Sequence, residues 1–217
     1  MLGLLSVGID PLVLDWTTRW RPGGDFRREL EFLQQFGAIS SIVIACLLVL
    51  LLDPAPREIL RRRIADWAMA AVIVGLSGNL LKMILGRPRP LFADPHHLLG
   101  PLGKYPVEVS ADGTVGLVHA WQLGTRGLSD LWSMPSSHAM AAACMGFVLC
   151  AYYPRLRPLC LFLVVVVCVA RVVLRAHYVS DVLIGAGLGW LIAAWCLRHQ
   201  VGSNLLTRLG LFRAAPA

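Results

Sequence analysis

Five apolar runs, each closed by charged or helix-breaking residues, set the pattern of the chain: about residues 36–52, 67–85, 139–153, 159–173 and 182–197. As helices these runs read as membrane spans, most of them short for what crosses the hydrocarbon core of a bilayer. Ahead of them, short apolar patches alternate with Asp10, Asp15, Arg19, Arg21, Asp25, Arg27, Arg28, Glu29 and Glu31. With Trp16 and Trp20 present and no long uncharged run, residues 1–35 read as interfacial helices lying on the membrane. Residues 91–134 form a loop too long for a mere connector, which points to a lid or a recognition element outside the membrane. The pattern predicts an all-α, polytopic transmembrane helical bundle of about five spans plus the N-terminal interfacial helices, a single domain over residues 1–217.

Composition agrees with a membrane setting: 57% of the 217 residues are apolar and the mean hydropathy is +0.65, too high for a soluble domain of this size. The formal charge of +7 does not imply a nucleic-acid partner, because the arginines sit in short clusters beside the apolar runs. They act as topology signals. Arg57, Arg61, Arg62 and Arg63 mark one connection as cytoplasmic, and Arg155, Arg157, Arg198, Arg208 and Arg213 then fall on the same side. The four arginines before residue 36 count against this orientation and are only partly offset by the acids beside them. The six cysteines all lie in apolar runs without a Cys-x-x-Cys pair and read as small buried hydrophobes. The weakly apolar N-terminus has no positive leader and no cleavage site, so a signal peptide is not expected.

Three stretches carry candidate chemistry. Lys82 and Arg89 stand seven residues apart at the outer end of the second run, where Gly86 and Pro88 end the helix. Pro135-Ser136-Ser137-His138 precedes the third run, with Pro135 expected at the first helical position and free N–H groups available to an anion. Arg171, His177 and Asp181 lie between the fourth and fifth runs. If the chain is helical from His177 onward, Asp181 follows one turn later and can hold one imidazole nitrogen while the other attacks. The alternating orientation of the spans brings all three stretches to one face. Singly, Lys82 could be a snorkelling lysine, Arg171 a topology charge and the Pro-Ser-Ser-His stretch a helix cap. Their convergence makes that joint reading improbable. Arg87 and Arg175 are assigned to headgroup or interface contacts, and His96 and His97 to an exposed loop without metal.

The spacing Lys82-x6-Arg89-Pro90, Pro135-Ser-Ser-His138 and Arg171-x5-His177-x3-Asp181 resembles the three signature motifs of the type-2 phosphatidic acid phosphatase superfamily, which includes vanadium-dependent haloperoxidases. Two positions depart from it: Ser137 replaces the usual glycine, and Ala170 stands where a serine often precedes the arginine. The resemblance implies an integral membrane lipid phosphatase, metal-independent and without cofactor, with His177 as nucleophile, Asp181 as its orienting partner and His138 as general acid. Lys82, Arg89, Ser136, Ser137 and Arg171 would bind phosphate. The expected partners are a membrane lipid phosphate and the bilayer. The expected location is a bacterial inner membrane with the site facing the periplasm. A lipid phosphotransferase uses the same first step and stays open, as does the choice of lipid. A transporter that only binds an anion is disfavoured by the absence of an internal repeat and by charges at span ends. A haloperoxidase is disfavoured by the apolar composition. Oligomeric state is left open.

Overall fold

The computed structural model describes residues 8–20 and 22–212. The sequence readings of residues 1–7, Arg21 and Arg213 lie outside the described residues. Two short helices come first, α1 (Asp10–Arg19) and α2 (Gly24–Leu33), followed by a 3-10 turn at Gln34–Gly37. Five apolar helices then occupy the places of the five runs: α3 (Ile39–Leu52), α4 (Arg57–Leu85), α5 (Ser137–Tyr152), α6 (Arg157–Val173) and α7 (Val179–Arg198). A short α8 (Val201–Arg208) packs back on α4. By length and composition, three helices can each cross a membrane, at 57–92, 154–173 and 179–198; α2 and α3, bent by 59° at their junction, make a fourth if they count as one span. α5 is apolar but shorter.

α5 is the hub, packed on α4, α6, α7 and the turn before α3. Its sequence explains this. Ala139, Ala141, Ala142, Ala143 and Gly146 keep the helix thin, and small residues are what lets helices approach closely where lipid supplies no hydrophobic drive. On α7 the partner positions are Gly185 and Gly189. A methyl group on Gly185 would stand 2.7 Å from the Ser136 carbonyl, and one on Gly189 would overlap the Met140 carbonyl. α3 buries only Ile42 and leaves Leu47, Leu48, Leu51 and Leu52 exposed, the signature of a lipid-facing helix.

α4 runs 29 residues, about 44 Å at 1.5 Å per residue. It stops at Gly86, whose φ of +57° places it in the left-handed region that glycine adopts without strain, and whose N–H caps the Lys82 carbonyl at 2.9 Å. The long loop after it is ordered as a small unit of its own. An antiparallel hairpin, β1 (Tyr105–Glu108) and β2 (Val115–Val118), closes over Leu99, Ala120, Leu128 and Leu131. Two backbone bonds tie its return to the end of α4: the Arg89 N–H to the Asp130 carbonyl at 2.8 Å and the Ser133 N–H to the Arg87 carbonyl at 3.0 Å.

Candidate active site

All three sequence stretches meet at one end of the bundle. The Ser136 N–H bonds the Asp181 carbonyl at 3.1 Å, which joins the start of α5 to the start of α7. The Ala176 and His177 N–H groups both bond the Arg171 carbonyl, at 3.0 and 3.1 Å, folding the α6–α7 connection back over the end of α6. Lys82 lies in the last turn of α4, and Lys82, Arg89 and Arg171 are close enough to act on His138 electrostatically. The side chains at this end leave polar capacity unused. Arg89 Nε, Arg171 Nε and Ser136 Oγ are buried without a hydrogen-bond partner. Orphaned donors are costly in a protein interior and ask for an acceptor. Several cations and unpaired donors around one point suit a multiply charged oxyanion.

His177 is 3% exposed, and its Nδ1 lies 2.6 Å from the Ser133 carbonyl oxygen. A carbonyl only accepts, so Nδ1 carries the proton and Nε2 keeps its lone pair. Burial pushes the imidazole down to about 4, with Arg171 and Lys82 adding to the effect and Asp181 opposing it. The ring is therefore neutral at ordinary pH, the form a nucleophile needs.

Asp181 is 0% exposed and fully engaged. Its Oδ2 accepts from Ser133 Oγ at 2.5 Å and from the Tyr178 N–H at 2.9 Å, while Oδ1 accepts from Arg87 at 2.5 Å. The separation from Asp181 Oδ2 to His177 Nδ1 is 3.7 Å. The contact at hydrogen-bond distance is thus the Ser133 carbonyl, and Asp181 acts as a nearby charge that also holds Ser133. The reason is where the helix begins. α7 starts at Val179, with Tyr178 as N-cap and Asp181 closing a capping box, so His177 is not on the helical face expected for it.

Other expectations shift in the same way. Pro135 precedes the N-cap Ser136 rather than opening the helix, and Ser137 is the first helical residue, at a backbone conformation any residue can adopt. Arg87 is no headgroup contact. It is 2% exposed and pairs with Asp181, with Asp10 at 2.8 Å and with Ser180 at 2.6 Å. Arg175 reaches the Pro90 carbonyl at 3.4 Å and lines a cavity of about 200 Å³ with Pro22, Arg27, Val173 and Leu174. Arg171 donates to Gln34 Oε1 at 2.8 Å. Asp10, Ser133, Ser180 and Gln34 were all missed by the sequence reading. His96 and His97 are exposed, His97 lying 3.4 Å from Asp94. Among the described residues no group of three or more His, Cys, Asp or Glu side chains is placed to hold a metal ion.

Two hollows of about 810 and 550 Å³ lie at the opposite end of the bundle around Asp53 and Asp66. Volume does not single out the histidine end; its buried donors and neutral imidazole are what make it the candidate site.

The class is that of a helical membrane bundle with cations, unpaired buried donors and two histidines gathered at one end. A family model for the PAP2 superfamily matches residues 63–204, well over half of the chain, and the chain belongs to that superfamily. Among solved structures it is similar to a transmembrane PAP2-type phosphatidylglycerolphosphate phosphatase from Bacillus subtilis, with a TM-score of 0.60 and 18% identity over 92% of each chain. At that identity the likeness shows the fold. No curated protein matches the chain significantly.

Proposed function

We propose that the protein is an integral membrane phosphatase that hydrolyses a lipid phosphate monoester or diphosphate through a phosphohistidine at His177. The observation that carries this reading is the pairing of a neutral, carbonyl-held His177 with partnerless buried donors from three separate stretches. His177 Nε2 attacks phosphorus and forms the N–P bond. The P–O bond to the leaving group breaks, and His138 gives that oxygen its proton. His138 then takes a proton from water, the water oxygen attacks phosphorus, and the N–P bond breaks to release phosphate. Lys82, Arg89, Arg171, Ser136 and the Ser137 N–H hold the non-bridging oxygens as charge builds on them. No metal or cofactor enters these steps.

The site lies at the end of α4 away from Arg57–Arg63, so the positive-inside rule turns it out of the cytoplasm, toward the periplasm of a bacterial inner membrane. A lipid presented from that leaflet is the substrate class: phosphatidic acid, phosphatidylglycerol phosphate, undecaprenyl diphosphate or a lipid A phosphate. The test is release of inorganic phosphate from this panel by purified protein with excess chelator present. A second arm supplies a short-chain lipid phosphate to intact cells. Release in both arms is expected. Tight binding without release makes the protein an anion or lipid binder. Phosphate passed to a second lipid makes it a phosphotransferase, and release only after cell lysis places the site inside.

A further inference from the structure

Of the buried pair on the far side of Asp181, Arg87 stands at an unassigned position of the first stretch and Asp10 lies outside all three. Arg87 projects from the segment after α4, and Asp10, 1% exposed, comes from the first turn of α1. The Arg87 guanidinium lies 4.3 Å from the Tyr178 ring centroid and reaches Asp181, Ser180, Asp10 and the Pro95 carbonyl. Asp10 in turn accepts from the Ser180 N–H at 3.0 Å and from Ser180 Oγ. One cation thus bridges two buried carboxylates, and both sit at the positive end of α7. The chain of contacts runs from Asp10 to Arg87, Asp181, Ser133 and His177. α1 also covers the back of the site, with Val13, Leu14 and Thr17 facing Val172, His177 and Tyr178 across about 10 Å³ of space.

Resting on the function proposed above, we infer that Arg87 and Asp10 are positioning residues for His177: Arg87 sets how much negative charge Asp181 presents to the imidazole, and Asp10 sets how much of Arg87 is left for Asp181. A buried ion triad is not needed for stability as such, since apolar residues fill such volume as well or better. A graded electrostatic role gives it a reason. The groups that bear on His177 are Asp181 from α7, Arg171 from α6 and Lys82 from α4. Arg89 and His138 lie at the same end, with Asp130 acting on Arg89 and Tyr178 packed against Arg87.

The two residues have opposite signs of effect. Removing Arg87 leaves Asp181 uncompensated, which favours the imidazolium, so His177 loses its proton only at higher pH. Removing the Asp10 charge gives Arg87 wholly to Asp181 and has the reverse effect. The experiment measures kcat/KM for phosphate release against pH in the full-length protein, each variant divided by wild type so that the substrate's own ionisation cancels. Arg87→Met is expected to move the acid limb up by about one unit, in the range of a single nearby charge, and Asp10→Asn to move it down. Arg87→Lys keeps the charge and is expected to keep the wild-type limb. If Arg87→Met does not fold, Asp10→Asn and Arg87→Lys still read the effect. Lower turnover with all limbs unmoved, or limbs that move the same way in Arg87→Met and Asp10→Asn, overturns the inference while the phosphatase reading stands. A wild type that releases no phosphate from any lipid overturns that reading, and this one with it.

Discussion

Ser137 stands where the superfamily pattern has glycine, and its side chain has no role in the proposed chemistry. It is the first residue of α5, so its N–H is one of the helix donors that have no partner within the helix. Ser137→Gly is therefore expected to keep activity within a few-fold. Ser137→Pro fits the first helical position without strain but removes that N–H, and should cost about 100-fold in kcat, the scale of one lost oxyanion donor. Equal activity in the two variants would show that this amide does not touch phosphate. Lys82, Arg89, His138, Arg171, His177 and Asp181 were legible because charged or nucleophilic side chains beside apolar runs demand an explanation. Ser133 was not, for it orients His177 through a backbone carbonyl that every residue has. Asp10 and Arg87 were not either, since 77 residues separate them and each looks like an ordinary interfacial charge.

Helix boundaries moved where hydropathy and helix propensity part company. α4 begins ten residues before its apolar run because Arg57–Ala65 consists of good helix formers with an Arg62–Glu58 pair at 3.3 Å one turn apart. The loop hairpin escaped the reading because strands of four residues are too short to show a period. The close fit of α5 to α7 was equally hidden, since three glycines, at 185, 187 and 189, look alike in sequence. Only geometry separates them. Gly189→Ala would drive a methyl group into the Met140 carbonyl, whereas a methyl on Gly187 meets nothing within 4 Å. Thermal melts in detergent should show Gly189→Ala destabilised by about 1–3 kcal/mol, typical of overpacking, and Gly187→Ala unchanged. Similar melting points for the two would mean that α5 and α7 do not pack this closely.

Across the whole molecule, the expected alternation of spans brings the three stretches to one face, and backbone bonds from Ser133 to Arg87 and from Ser136 to Asp181 tie them together at one end of the bundle. Within the N-terminal segment, expected to lie on the bilayer, α1 docks on the back of His177 through Asp10, a contact that no local pattern encodes. The proposed function requires that this assembled end transfer phosphoryl groups through His177. The most direct measurement is rapid-quench labelling with a phosphorus-radiolabelled lipid in excess chelator, comparing wild type with His177→Ala and His138→Ala. An acid-labile phosphoenzyme is expected in the wild type, none in His177→Ala, and slowed formation or breakdown in His138→Ala. Full hydrolysis by His177→Ala, or wild-type activity that vanishes on chelation and returns on adding metal, would contradict metal-free transfer through His177.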